Sequence, residues 1–293
     1  GTYWYHSHSA LQEQSGMYGP MILDPVERDP IEPDREYVIM MSDWTFDDPH
    51  DIVPNLKKYP GYYNFQRRTV GDFFRDSADN GVWATIKDRY SWARMRMDPT
   101  DIADVTGATL TYLINGHIAR TPWTGAIKRG ERVRLRFINA GAATTFDVRV
   151  PGLRMTVVHA DGQRVQPVEV DEIRMGPAET YDVIVVPGNN DAYAVFAEAS
   201  DRSGFAAAML TQREGAVAAL PARRKRPVRS MMDMGMEMGG MKEMPGMESG
   251  SSAPNQTNMP EMGSGSAASD HTTMPGMGSG SAVPDHSNMP GNG

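Results

Sequence analysis

The C-terminal segment 231–293 limits most strongly what the whole chain can fold into. It contains no Phe, Trp or Tyr, and Val283 is its only branched aliphatic residue, yet it holds 13 of the 22 methionines. Such a segment cannot bury enough apolar surface to offset the entropy of ordering it. We therefore expect this methionine-rich tail to be disordered, and we expect the core to come from the part of the chain before Met231.

Charge and cysteine content exclude several classes of protein. The net charge is −8, of which the tail carries −6, so neither part has the basic surplus of a nucleic-acid-binding domain. The basic run Arg223–Arg226 is interpreted as a solvated linker rather than as a nucleic-acid or membrane patch. The absence of cysteine excludes disulfides, zinc ribbons, iron–sulfur clusters and thiol nucleophiles. No apolar stretch reaches the ~18 residues that indicate a membrane-spanning helix.

The chain up to Arg213 has the short, alternating segments that are typical of an all-β fold. Val133, Leu135 and Phe137 alternate with arginines, and Asp161-Gly162 predicts a hairpin turn. Several such strands, separated by Gly, Pro or Asn, indicate a Greek-key β-sandwich or barrel. Changes in composition predict the end of one β domain at 1–25, a linker at 26–36, a second β domain at 37–213, a basic linker at 214–230 and the tail at 231–293.

A helical insertion is predicted inside the second β domain, at about 50–107. Its apolar residues recur at i, i+3, i+4 and i+8, and then at i, i+4 and i+8, which are periods of an α-helix. The residues that follow these two patterns are Val70, Phe73, Phe74 and Ala78, and then Val82, Ile86 and Tyr90.

The segment His6-Ser7-His8 is the clearest local indication of chemistry. On a strand, residues i and i+2 point to the same side, with Cβ atoms roughly 6.6–6.8 Å apart. This spacing suits one ligand on each of two adjacent metal ions better than chelation of a single small ion. Neutral imidazole is a ligand for copper, zinc, iron and nickel. The alternatives are two surface histidines without a metal, and a zinc hydrolase site. His117 and His159 are interpreted as structural.

The sequence around these histidines resembles the end of the first cupredoxin domain of multicopper oxidases. The resemblance rests on Gly1-Thr2-Tyr3-Trp4-Tyr5-His6-Ser7-His8-Ser9 and on 12–25. Four later segments resemble the second domain of that family, and they are Leu113–Gly116, Gly130–Gly141, Val158–Gln163 and Ala178–Val183. The methionine-rich tail is similar to that of the periplasmic copper-resistance branch of the family.

The resemblance implies a cupredoxin-like fold, a periplasmic location and copper as the cofactor. It implies that His6 and His8 each ligate one copper of the type 3 pair. In the longer protein that it implies, Cu(I) or a phenol is oxidised at a type 1 copper, and O2 is reduced to water by four electrons at a cluster of type 2 and type 3 copper. Other copper-resistance proteins are further partners that it allows. We expect this chain to be an internal fragment of such an oxidase. Without the type 1 cysteine, it should have no oxidase turnover alone.

The methionine-rich tail is predicted to bind additional Cu(I). Thioether sulfur is a soft, neutral ligand that favours Cu(I), and Met-Pro recurs at a constant spacing from Met244 to Met289. The alternative is a plain linker whose methionines bind nothing. The candidate ligands are Met231, Met232, Met234, Met236, Met238, Met241, Met244, Met247, Met259, Met262, Asp270, His271, Met274, Met277, Asp285, His286 and Met289.

Taken together, these features predict a fragment of a copper-resistance multicopper oxidase. The alternative from another class is a non-catalytic copper-sequestering protein that acts through its methionine-rich tail. A two-domain cupredoxin similar to nitrite reductases is a third interpretation, against which the helical insertion and the tail argue. A His-Cys-His segment further along the gene would distinguish the oxidase from the sequestering protein.

Overall fold

Residues 1–27 and 29–235 are described by the structure, a computed structural model, and β-strands are their main regular element. The predicted all-β class with a helical insertion is confirmed. The helices of the insertion are α1 (Pro49–Lys58), α2 (Val70–Asn80) and α3 (Val82–Arg94). The strands are β1 (Thr2–His6), β2 (Tyr18–Ile22), β3 (Arg35–Thr45), β4 (Leu110–Ile114), β5 (His117–Ile118), β6 (Trp123–Ala126), β7 (Val133–Asn139), β8 (Phe146–Arg149), β9 (Met155–Ala160), β10 (Gln163–Val170), β11 (Ile173–Met175), β12 (Thr180–Val185), β13 (Ala192–Ala199) and β14 (Phe205–Thr211).

Two sheets enclose the main core. The larger sheet has the strand order β10-β9-β12-β7-β3-β4-β5, and the smaller sheet has the order β11-β8-β13-β14-β6. Leu135 and Phe137 of the larger sheet share one buried cluster with Val148 and Val195 of the smaller sheet. Fully burying one such apolar side chain stabilises the fold by roughly 1.5–3 kcal/mol. The face of β7 that carries Val133, Leu135 and Phe137 therefore turns toward the core. The sandwich prediction is therefore confirmed.

The hairpin between β9 and β10 turns at Asp161 and Gly162, as the sequence predicts. Both residues have positive φ, 48° and 73°, which is the conformation of a tight two-residue hairpin turn. A Cβ atom on Gly162 would lie 2.3 Å from Cζ of Tyr3, which belongs to β1. Glycine is thus required twice at this position, for its backbone angle and for the close approach of β1.

The β1–β2 hairpin is held against the larger sheet by a buried polar network, here called the joint. Thr2 Oγ1 donates to Asp182 Oδ1 at 2.5 Å, and Arg136 Nη1 donates to Thr2 Oγ1 at 2.9 Å. Arg136 also forms an ion pair with Asp182 at 3.0 Å, and Thr180 donates its hydroxyl to the Thr2 carbonyl at 3.0 Å. The side chain of Asp182 is 1% exposed and that of Arg136 is 8% exposed. The joint therefore fixes the start of β1 on strands β7 and β12.

The insertion forms three helices, but the predicted apolar pattern does not mark a buried face. Trp92 and Ile52 are buried, whereas Val70 is 73% and Phe74 is 67% exposed. Helix α2 begins with a capping box between Thr69 and Asp72, which satisfies free backbone N–H groups at its start. Among the described residues, no helix is long and apolar enough to cross a membrane.

The predicted linker 26–36 is hydrogen-bonded to the residues at the start of β7. Arg134 Nη2 donates to Asp29 Oδ2 at 2.7 Å and to the carbonyl oxygen of Ile31 at 2.5 Å. The backbone N–H of Arg132 donates to Asp34 Oδ2 at 2.7 Å. These contacts fix the path of the linker.

The basic run, interpreted from the sequence as a solvated linker, is instead paired with the folded part of the chain. Arg224 donates to Glu172 Oε1 at 2.8 Å, and its backbone N–H donates to buried Glu198 at 2.9 Å. Arg226 donates to the carbonyl oxygen of Gln66 in the insertion. The charge pattern alone could not locate these acceptors, because they lie 26 to 160 positions earlier in the chain.

Asp182→Ala is expected to lower the free energy of unfolding by about 1–3 kcal/mol, because it removes the acceptor of the Thr2 hydroxyl and one of the two carboxylates that pair with buried Arg136, while Glu36 remains. Asp171→Ala is the matched control, since Asp171 is 80% exposed and pairs with the exposed Arg154 at 3.0 Å. That loss should be below about 1 kcal/mol. Urea denaturation measures both, and equal losses would contradict the role given to the joint.

Candidate metal centre

His6 and His8 lie side by side at the end of β1. The strand ends at His6, so His8 follows the strand instead of continuing it. Their ring centroids are 4.5 Å apart, with the ring planes inclined at 48°. The premise that both histidines share a strand was therefore wrong, although the rings still come together. Their assignment to two metal ions stays a prediction.

Trp4 and Glu13 complete the surroundings of the His6 ring. The Trp4 indole stacks on His6 with ring centroids 4.2 Å apart and planes inclined at 13°. His6 Nδ1 lies 3.1 Å from Glu13 Oε2. The direction of approach is not that of a regular hydrogen bond, and Nδ1 is buried without another partner among the described residues.

The loop after His8 is folded back onto β1 by its own hydrogen bonds. The Ser7 N–H donates to the Met17 carbonyl at 3.0 Å, and the Met17 N–H donates to the Gln12 carbonyl at 2.9 Å. Gln14 Nε2 donates to the carbonyl oxygen of Asp43 in β3 at 2.8 Å. Gly16 has φ 94°, a left-handed conformation that favours glycine. The loop thus brings Glu13, seven positions after His6, to the imidazole.

Two imidazoles can supply part of a metal site. Within 1–27 and 29–235, no group of three or more His, Asp or Glu side chains is arranged to hold a metal ion. Copper, zinc and iron all accept neutral imidazole, so the donor set fits copper without selecting it. A complete site with these two histidines would need ligands from outside the described residues.

The other histidines with a sequence interpretation lie elsewhere. His117 is exposed on β5. His159 Nδ1 lies 3.5 Å from Asp182 Oδ2 beside the joint, and burial lowers the pKa of His159. These surroundings agree with the structural interpretation of His159.

Of the predicted methionine ligands, the structure describes three. Met231 is 7% and Met232 is 74% exposed, and Met232–Met234 form a short 3-10 helix. The remaining candidates lie outside the described residues, and they are Met236, Met238, Met241, Met244, Met247, Met259, Met262, Asp270, His271, Met274, Met277, Asp285, His286 and Met289.

Two neighbours of His6 were not identified from the sequence. Trp4 could have been found, because it is two positions before His6 on a strand and must share its face. Glu13 carries no such signal. Its position depends on the turns of the loop, and loop conformation does not follow from periodicity.

Two family models match the chain, and both are described as multicopper oxidase. One covers residues 66–215 and the other covers residues 1–28. The first spans helices α2 and α3 and strands β4 to β14, and the second spans the β1–β2 hairpin with both histidines.

Curated relatives agree with these matches. The chain is 56% identical over 249 residues to copper resistance protein A of Escherichia coli, covering 85% of this chain and 41% of that protein. It is also 56% identical over 241 residues to copper resistance protein A of Pseudomonas syringae pv. tomato, covering 82% and 39% respectively. The chain therefore spans about two fifths of the length of these relatives.

Solved structures support the fold. Fet3p, described as a multicopper oxidase that functions in iron import, aligns with a TM-score of 0.53 at 22% identity, over 79% of this chain and 37% of its own. The laccase from Botrytis aclada aligns with a TM-score of 0.50 at 21% identity, over 78% and 38%. At such identities the likeness concerns the fold, and it confirms the cupredoxin-like prediction.

Proposed function

The chain belongs to the multicopper oxidase family, and we propose that it forms part of a longer, periplasmic copper-resistance oxidase. In that protein, His6 and His8 are ligands of a type 3 copper pair. The observation that carries the proposal is the adjacent pair of imidazoles at the end of β1, with ring centroids 4.5 Å apart. This pair lies in the segment that matches the family and that resembles its copper-binding motif.

The residues present fit copper in their chemistry. Both imidazoles are borderline ligands of the kind that copper accepts, and His6 Nδ1 is a buried polar atom that lies 3.1 Å from a Glu13 carboxylate oxygen. His8 is exposed, so its ring is accessible to an ion and to ligands contributed by other parts of the longer protein. When bound, the copper cluster supplies one-electron chemistry, through which O2 is reduced to water by four electrons.

The rest of the proposal concerns electron entry and substrate. The chain has no cysteine, so the thiolate of a type 1 copper has to come from another part of the longer protein. The proposed substrate is Cu(I), with phenols as a second class. Cu(I) is favoured because the tail concentrates thioethers, with 13 of the 22 methionines in 231–293, and thioethers select that ion. The chain alone, without an electron-entry site, should not sustain O2 consumption.

The first test replaces His6 or His8 with Ala in the longer protein. Each change should deplete type 3 copper and abolish O2 reduction, while the blue absorbance of type 1 copper survives, because these ligands are separate from the electron-entry site. His117→Ala is the matched control, since this histidine is exposed on β5, and it should leave copper content and turnover unchanged. Full copper content and normal turnover in the His6/His8 double variant would refute the assignment.

The second test addresses the tail, using the full chain with every methionine of 231–293 replaced by Leu. Leucine keeps the apolar bulk and removes the sulfur, so Cu(I) uptake, measured by competition with a chromophoric chelator, should fall. Binding at thioethers alone should depend little on pH. Binding near His271 and His286 should weaken below about pH 6.5, as imidazole becomes protonated.

The control for the tail replaces three exposed methionines of the described residues, Met17, Met21 and Met97, with Leu, and it should leave Cu(I) uptake unchanged. Equal uptake by the tail variant and the unmodified chain would restore the plain-linker interpretation. A longer protein that binds Cu(I) through the tail but consumes no O2 would favour the copper-sequestering function instead.

A further inference from the structure

His6 and His8 differ in what surrounds their nitrogens. His6 Nδ1 has a carboxylate oxygen of Glu13 at 3.1 Å, whereas His8 has no ion pair or hydrogen bond within the described ranges. The two side chains of the His6–Glu13 pair are 24% and 27% exposed. The Glu13 carboxylate thus lies beside one nitrogen of His6 alone. His8, which has no such neighbour in the described part of the chain, is an internal reference for the effect of the carboxylate.

The His6 ring is also restrained in orientation. Its face lies on the Trp4 indole, and Trp4 in turn packs on the buried cluster of Met40, Ile138 and Ala140. A half-turn about the Cβ–Cγ bond would keep the ring in the same plane, but it would exchange Nδ1 with Cδ2 and Nε2 with Cε1. The Glu13 carboxylate opposes that turn, because it attracts the nitrogen that carries a hydrogen.

We propose that Glu13 is a positioning residue, whose carboxylate keeps the hydrogen of His6 on Nδ1 and leaves Nε2 as the ligand atom for copper. A neutral imidazole has one donor nitrogen and one acceptor nitrogen, and an ionised carboxylate can only accept. Its partner must therefore be the N–H, and the lone pair is on Nε2. A carboxylate behind a ligating histidine also raises the basicity of the ligand.

The inference rests on the proposed function in one respect, that the ion taken up at His6 is copper. The contact between Glu13 and His6 is independent of that identity. It can therefore be tested without a metal, and the copper-dependent step can be tested separately.

The first experiment compares the metal-free chain with its Glu13→Ala and Glu13→Gln variants, using nitrogen-15 NMR to identify the tautomers of His6 and His8. In the unmodified chain, His6 should carry its hydrogen on Nδ1. Glu13→Ala should give the mixture of tautomers expected of a histidine without a partner. Glu13→Gln should give an intermediate mixture, since the amide can accept a hydrogen bond from Nδ1–H through its oxygen or donate one to the Nδ1 lone pair through its NH2 group.

His8 is the internal control of this experiment, and its tautomers should be the same in all three proteins. A purely structural role for Glu13 would disturb the whole loop and move the signals of both histidines. A His6 tautomer that is unchanged in Glu13→Ala would overturn the inference.

The second experiment measures copper binding by the longer protein carrying the same substitutions. Glu13→Ala should weaken copper binding at the type 3 pair about 10–100-fold, the usual effect of removing a group that orients a metal ligand. Glu27→Ala is the matched control, because this glutamate is exposed in the linker, and it should leave affinity unchanged. Unchanged affinity in Glu13→Ala would overturn the positioning role. An unmodified longer protein without a copper pair would instead refute the proposed function. The tautomer comparison would still show whether Glu13 determines which nitrogen of His6 carries the hydrogen.

Discussion

The buried ion pair between Arg136 and Asp182 is the interaction on which the position of the candidate metal centre depends. Two charges removed from water are stabilised only where their geometry is good and their remaining hydrogen-bonding groups are satisfied. Both conditions are met, because Thr2 donates to Asp182 and Arg136 Nε donates to Glu36 Oε2 at 2.7 Å. An apolar joint would hold β1 on the sheet as firmly, but it would fix its direction less, because hydrogen bonds are directional and hydrophobic contacts are not.

Strand β1 connects the joint to the histidines, so anchoring Thr2 also positions His6. Thr2, Trp4 and His6 share one face of β1, since alternate residues of a strand point to the same side. Thr2 is buried in the joint, Trp4 packs on the Met40 cluster, and His6 ends the strand beside His8. One face of this short strand therefore passes from a polar anchor, through an apolar contact, to the candidate ligands.

The sequence predicted the parts of this structure that depend on local pattern. The alternation around Leu135 identified a core strand, Asp161-Gly162 identified a turn, and the spacing of Val70 and Phe74 identified a helix. It failed where contacts join distant positions. Val70 and Phe74 on α2 are exposed, because helical period reports conformation and not what the helix packs against. The sequence also failed to identify the acceptors of the basic run, because only folding brings these distant residues together.

The candidate centre shows the same division. A motif places two histidines in sequence, but a metal site requires the donor atoms themselves to lie within about 0.5 Å of a productive geometry. Periodicity says which face a side chain shares, and it cannot say which nitrogen of an imidazole is turned outward. In this chain that choice falls to Glu13, seven positions along a folded loop that is anchored by Gln14 on β3. The loop is anchored on β3, and β1 is anchored on Arg136 of β7. Because β3 pairs with β7, the loop and β1 are held by the same sheet. The contacts of one sheet therefore determine the positions of both Glu13 and the candidate ligand His6.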